Sequence, residues 1–173
     1  MTMYNKVFDQ NVILQAENGS ILFYDNQIVL GSTAFRKLAK IRNAIKTLPI
    51  SGFEPKQCIL TVHSKTQLFE IYEIVNSYDL GDELKVMWNG EAFDIQPKNV
   101  SKGNSLLALM KLLSLEKDNV LSIGDRINDR EMIEVSGIGV SADIQNLRAE
   151  FWTKGQELPA DILVDYLIKI YEL

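Results

Sequence analysis

The chain has 173 residues, 46% of them hydrophobic, and a formal net charge of −5, which suits one ordinary domain or two small lobes with a buried core. The sequence contains no basic run and no apolar segment of membrane-spanning length, so we expect neither nucleic acid nor a membrane as a partner. A single cysteine, Cys58, excludes an internal disulfide, and the lack of a signal-peptide pattern favours a cytoplasmic protein.

Two hairpins are predicted in the first hundred residues. A short strand is expected at 12–14, and the Asn18-Gly19 pair predicts a turn into a hairpin that reverses at Asp25-Asn26. A second hairpin, 84–95, reverses at Asn89-Gly90.

Helices and a strand lie between these hairpins. A helix over 33–47 is predicted to be capped by Ser32, and a helix over 65–78 by Ser64, each with apolar residues near one face. Residues 57–63 predict a strand between the two helices. The segment 18–100 therefore predicts an α+β lobe, an antiparallel sheet with helices on one face.

From residue 102 onward, helices and strands alternate with short connections. Helices are predicted over 102–115, 129–135 and 144–152 and at the C-terminus, and strands over 119–123, 137–141 and 161–164. Such alternation predicts a parallel sheet.

Two carboxylates follow the predicted strand 119–123. Asp125 and Asp129 are separated by a loop that contains Asn128, and Gly124 ends the strand. Open α/β sheets bind ligands at the carboxyl ends of their strands, and paired carboxylates suit a hard cation such as Mg²⁺. The alternative interpretation is a loop carboxylate at Asp125 and a helix cap at Asp129.

The order of these motifs is similar to that of a known superfamily. Lys102-Gly103, a helix, a strand, Gly124-Asp125-x-x-Asn128-Asp129, a helix and Gly137-x-Gly139 together resemble the haloacid dehalogenase (HAD) superfamily. The similarity is greatest to its Cof-type, sucrose-phosphate and mannosyl-phosphoglycerate phosphatases. The stretches 16–25 and 93–103 resemble the segments that lead into and out of the cap in those enzymes.

The resemblance implies Mg²⁺ as cofactor, a phosphorylated sugar as substrate, and a role for each matching residue. Lys102 would be catalytic beside the phosphate, and Asp125 would bind Mg²⁺. Asp129 would bind Mg²⁺ as well, directly or through water, or would orient Lys102, and Asn128 would hydrogen-bond within the site. His63, at the end of a predicted strand of the cap, could contact the sugar, although a half-buried structural histidine is the commoner outcome.

The resemblance also implies an incomplete catalytic core. It assigns 18–100 to the α+β cap, and it assigns 1–17 with 101–173 to the C-terminal half of a Rossmann-like α/β core. In the family, an Asp-x-Asp nucleophile motif and a Ser/Thr motif precede the cap, and about 17 residues are too few for two strands and their crossovers. A displaced copy would use Asp25 and Thr61, but Gln27 cannot transfer a proton as the second carboxylate does.

Three hypotheses follow for the function. The first is a phosphatase cap and half core, inactive alone, whose N-terminal half comes from another polypeptide or was lost from the sequence. The second is a non-catalytic relative that binds a sugar phosphate, a metal or a protein partner, and the third is a self-contained enzyme that uses Asp25. Because a half core exposes an unpaired strand edge, we expect a homodimer, or rearranged N-terminal residues, to cover that edge.

Overall fold

A computed structural model describes residues 13–24, 27–31, 34–88, 90–143, 147, 151–152 and 169, with the backbone alone for 28–31, 35 and 151–152. The chain divides into two compact units, Met1–Ser101 and Lys102–Leu173. The expected grouping of residues 1–17 with the second half of the chain stays a prediction.

The first unit begins with a three-stranded antiparallel sheet in the order β1-β2-β3. Its strands are β1 (Leu14–Ala16), β2 (Ile21–Tyr24) and β3 (Gln27–Gly31). A 3-10 turn at Glu17–Gly19 joins β1 to β2, and both the Asn-Gly turn and the following hairpin are confirmed. Val12, Asp25 and Asn26 lie outside the described residues.

A second antiparallel sheet in this unit has the strand order β4-β5-β7-β6. The strands are β4 (Gly52–Phe53), β5 (Leu60–His63), β6 (Leu84–Trp88) and β7 (Ala92–Pro97), and the helices are α1 (Phe35–Ile45) and α2 (Phe69–Tyr78). We expected one antiparallel sheet, but the first hairpin pairs with β1 and forms a sheet of its own. The strand β4 has no counterpart among the predicted elements, and it pairs with the end of β5.

The core of the first unit lies between the second sheet and both helices. Alternate residues of the strands point into it, so the helices cover one face of the sheet, as predicted. The cluster comprises Leu38, Ile41, Ile45, Leu60, Val62, Ile71, Val75, Leu84, Phe93 and Ile95. The intervening positions Thr61, Asp94 and Gln96 are polar and lie on the opposite face.

The start of α2 differs from the prediction. The helix begins at Phe69, four residues later than expected, and no side chain caps it. The hydroxyl of Ser64 instead donates to the carbonyl of Thr66 at 2.6 Å and accepts its N–H at 3.3 Å. These local bonds hold a turn in place of a helical one. Ser32, the predicted cap of α1, lies outside the described residues, and α1 follows Ala34.

Hydrogen bonds join the Glu17–Gly19 turn to β7 of the second sheet and to the segment 57–59. Glu17 and Asn18 adopt left-handed φ values of 50° and 55°, which is uncommon for residues other than glycine. The Asn18 amide donates to Asp94 Oδ2 at 3.3 Å and to Gln96 Oε1 at 3.1 Å. The Glu17 carboxylate accepts the consecutive backbone N–H groups of 57–59. These contacts hold the turn in its unusual backbone conformation.

The second unit contains a parallel sheet in the order β10-β9-β8, which confirms the predicted sheet type. In chain order its elements are α3 (Lys102–Leu113), β8 (Leu121–Gly124), α4 (Arg130–Val135), β9 (Ile138–Ser141) and β10 (Phe151–Trp152). Among the described residues, β8 pairs on one side only, with β9.

The helix predicted over 144–152 is wrong at its end, where β10 pairs with β9. The strand expected at 161–164 and the C-terminal helix fall outside the described residues, apart from the helical Lys169. Within the described ranges, no helix is long and apolar enough to cross a membrane.

Candidate functional site

An ion pair joins the first residue of α3 to the residue that precedes α4. The ammonium of Lys102 donates to Oδ1 of Asp129, whose side chain is 4% exposed. The two residues are distant in sequence, and the packing of α3 against α4 brings them together. The resemblance in the motifs implied one site for both residues, and the structure shows that they are in contact.

The second oxygen of Asp129 closes the loop after β8. Its Oδ2 accepts the backbone N–H groups of Asp125 at 3.1 Å and Arg126 at 3.3 Å. Burial raises the pKa of the Asp129 carboxyl, but the hydrogen bond from Lys102 and those from the two amides outweigh burial, and the pKa lies below its ordinary value. Asp129 is therefore ionised at neutral pH.

Asp125 and Asn128 lie on the same loop. The Asp125 side chain is 60% exposed, and its carboxylate is 3.7 Å from Nε of Arg126. Asn128 is half-buried. The exposed carboxylate of Asp125 is accessible to a cation from solvent, whereas that of Asp129 faces the protein.

His63 belongs to the first unit and has other neighbours. Its Nε2 is 3.0 Å from Oε1 of Glu54, which also forms an ion pair with Lys56 at 2.8 Å. The hydrogen bond from Lys56, opposed by burial and aided by His63, lowers the pKa of Glu54. Lys56 in turn donates to Thr61 at 3.0 Å. Sequence analysis missed Glu54 and its partner Lys56, because only the pairing of β4 with β5 brings Glu54 beside His63.

The fit of Mg²⁺ to these residues is partial. Among the described residues, no group of three or more His, Cys, Asp or Glu side chains is arranged to hold a metal ion. Asp125 supplies the oxygen that Mg²⁺ prefers, but both oxygens of Asp129 already accept hydrogen bonds from protein groups. Mg²⁺ takes about six oxygen ligands. Asp125 therefore fits one position of an octahedral shell, and water, substrate or further carboxylates must fill the others.

The fold and the site together define an α/β protein with a lysine–carboxylate pair at the carboxyl end of a parallel strand. A family model described as haloacid dehalogenase-like hydrolase matches residues 2–144. The chain belongs to this family, and the resemblance seen in its motifs is confirmed.

Curated relatives carry related names. A phosphoglycolate phosphatase from Methanopyrus kandleri is 26% identical over 137 residues, which cover 74% of this chain and 58% of the relative. A phosphoglycolate phosphatase from Methanoculleus marisnigri is 34% identical over 96 residues, covering 54% of this chain and 41% of the relative. The chain thus spans about half the length of the curated relatives it matches.

Solved structures share the fold. A HAD subclass IIB sugar phosphatase aligns with a TM-score of 0.66 at 14% identity, covering 90% of this chain and 74% of the other. A haloacid dehalogenase-like hydrolase from Bacteroides thetaiotaomicron aligns with a TM-score of 0.65 at 14% identity, covering 82% and 70%. The predicted α/β fold class is confirmed by these similarities.

Proposed function

We propose that this chain contributes the lysine and the metal-binding loop of a Mg²⁺-dependent phosphatase that acts on a phosphorylated sugar. The observation that carries the proposal is the ion pair between Lys102 and Asp129, on the loop that also presents Asp125. Family membership and the names of the relatives agree with phosphoryl chemistry.

Each residue has a distinct role in the proposed reaction. Phosphoryl transfer requires positive charge around the equatorial oxygens, and the ammonium of Lys102 supplies it. Asp129 orients that ammonium and holds the loop, Asp125 binds the cation, and Asn128 hydrogen-bonds within the site. When bound, Mg²⁺ adds charge neutralisation at the phosphate.

A contact to the sugar is proposed for His63. Its ring is half-exposed on the polar face of the second sheet, and a neutral imidazole can donate to or accept from a hydroxyl. This residue bears on substrate choice and not on the chemical step.

We propose that the attacking aspartate is not supplied by this chain. The 173-residue sequence has no Asp-x-Asp pair, and Asp25 is followed by Asn26 and Gln27. We therefore propose that the chain is inactive alone and needs a complementing N-terminal half.

Hydrolysis of p-nitrophenyl phosphate with Mg²⁺ tests this proposal. We expect no turnover by the pure chain, and turnover once a separately made N-terminal half of a relative is added. Lys102→Ala and Asp125→Asn should abolish the restored activity, and Asp118→Asn, an exposed acid elsewhere in the second unit, should not. Turnover by the chain alone that is lost in Asp25→Asn would instead show a self-contained enzyme.

The lack of an Asp-x-Asp pair favours one alternative, a non-catalytic relative that binds a sugar phosphate or a protein partner. Calorimetric binding of a sugar phosphate to the chain, with no turnover after the N-terminal half is added, would identify this alternative.

A further inference from the structure

The glycine that follows Lys102 lies against the backbone of α4. A Cβ atom added at Gly103 would lie 2.6 Å from Cβ, 2.7 Å from the carbonyl carbon and 2.9 Å from the carbonyl oxygen of Glu131. Real Cβ atoms essentially never approach closer than 3.0 Å. Because two of these three atoms are backbone, a side-chain rotation of Glu131 could not make room.

The contact between Gly103 and Glu131 is close in sequence to both members of the Lys102–Asp129 ion pair. Gly103 directly follows Lys102, and Glu131 is two residues beyond Asp129. We propose that Gly103 is a positioning residue: its missing side chain lets α3 approach α4 closely enough for Lys102 to reach Asp129. The proposal deepens the function proposed above and rests on the role given there to Lys102.

A second glycine, Gly124, lies against the carboxylate of Asp129. A Cβ atom at Gly124 would lie 2.9 Å from Cγ and 3.0 Å from Oδ2 of Asp129. That oxygen is the one that accepts the N–H groups of Asp125 and Arg126. Gly103 therefore sets the spacing of the helices, and Gly124 provides the space that the carboxylate occupies.

A third glycine of the second unit, Gly137, allows a positioning role to be distinguished from a packing role. A Cβ atom at Gly137 would lie 2.6 Å from the carbonyl oxygen of Lys117 and 2.8 Å from Cα of Asp118, so alanine there also clashes with backbone. Gly137 contacts neither member of the ion pair among these nearest atoms. Gly137→Ala is therefore a matched control for a glycine that is needed for packing alone.

The test is a double-mutant cycle with Lys102→Met and Asp129→Asn, measured by urea unfolding in three backgrounds. In the parent chain and in Gly137→Ala, we expect the pair to be coupled by about tenfold in the unfolding equilibrium constant. In Gly103→Ala the coupling should fall below about twofold, although alanine has the higher helix propensity. Equal coupling in Gly103→Ala and Gly137→Ala would overturn the proposal.

Amide hydrogen exchange distinguishes the two glycines. In Gly124→Ala, the amides of Asp125 and Arg126 should exchange about tenfold faster, and in Gly103→Ala they should be unchanged. If Gly103→Ala does not fold, the cycle is measured in Gly103→Ala combined with Glu131→Gly, which removes the nearest clashing atom but leaves the carbonyl group of residue 131 against the added methyl group. Coupling below about twofold there would support the proposal, and coupling of about tenfold would contradict it. Neither measurement needs turnover, so its failure is distinct from a failure of the proposed phosphatase function.

Discussion

At the scale of single residues, Lys102 is predicted to stabilise the second unit as well as to serve chemistry. In Lys102→Met, Oδ1 of the buried Asp129 carboxylate loses its charged partner. A buried acceptor left unpaired costs about 1–3 kcal/mol, so the free energy of unfolding at neutral pH should fall by that amount. Urea denaturation measures this fall in the free energy of unfolding. Lys111→Met, an exposed lysine on the same helix, should change stability by less than about 0.5 kcal/mol. Equal effects of the two substitutions would contradict the assignment.

Asp79 should give the first unit an acid-sensitive stability. Burial raises the pKa of its carboxyl, but hydrogen bonds from Lys37 and from the backbone N–H of Leu84 outweigh burial, and the pKa lies below the ordinary 3.8. Because the folded pKa is depressed, the stabilisation is complete above the ordinary value and is lost as the pH falls through the folded pKa.

Urea unfolding between about pH 6 and about pH 2 tests this, with Asp79→Asn expected to flatten the acid limb. The matched control is Glu70→Gln, which removes an exposed carboxylate from α2 of the same unit. An acid limb unchanged by Asp79→Asn would show that other groups cause the acid sensitivity.

Part of the site follows from sequence, and part depends on the folded packing. The resemblance carried by the Lys-Gly and Gly-Asp-x-x-Asn-Asp motifs implied one site for Lys102 and Asp129, and it left open whether Asp129 binds the metal or orients Lys102. Two amides and an ammonium that converge on its carboxylate favour the orienting role, and such convergence depends on the packing of α3 against α4. Glu54 had no signal of its own, because its contact with His63 forms through the pairing of β4 with β5.

At the scale of secondary-structure elements, the Glu17–Gly19 turn requires glycine at its third position. Gly19 has a φ of +90°, and a Cβ atom there would overlap the carbonyl group of Ser101. Gly90 has a similar φ of +99° with nothing within 4 Å. Both glycines therefore have a left-handed backbone that disfavours a side chain, and of the two only Gly19 also lies in close contact with another residue, Ser101.

Gly90→Ala should destabilise the first unit by about 1–2 kcal/mol, the cost of left-handed backbone for a residue with a side chain. Gly19→Ala should cost a further 1–3 kcal/mol or so, because the added methyl group overpacks the site. Thermal or urea unfolding of the two variants gives the comparison. Similar losses in both would mean that the backbone near Ser101 moves aside at little cost.

The elements missed from sequence are those whose conformation depends on a distant partner. Gly52-Phe53 is too short to show alternation, and it is a strand because Val62 and His63 pair with it. Phe151-Trp152 joins the edge of β9, although the surrounding residues predicted a helix. The Asn18-Gly19 turn was predictable because its signal is local: both residues tolerate left-handed backbone.

At the scale of the whole molecule, the side of β8 that has no neighbour among the described residues is expected to drive self-association. Within the described residues, β8 has a neighbour on one side alone, and an unpaired strand edge can accept another chain. We expect light scattering to show a mass above that of the 19.6 kDa monomer as concentration rises. Addition of the complementing N-terminal half should reverse this association. A monomer at every concentration would contradict the expectation.

The hydrogen bonds between Glu17 and the segment 57–59 make Cys58, the only cysteine of the sequence, a suitable probe for local opening of that segment. Cys58 is 4% exposed, and its own backbone N–H donates to Oε2 of Glu17 at 2.6 Å. A thiol reagent can reach this sulfur only while the 57–59 segment is released, so the labelling rate measures how often that release occurs. Glu17→Gln should accelerate labelling, and the motion can therefore be followed in the native chain without an introduced probe.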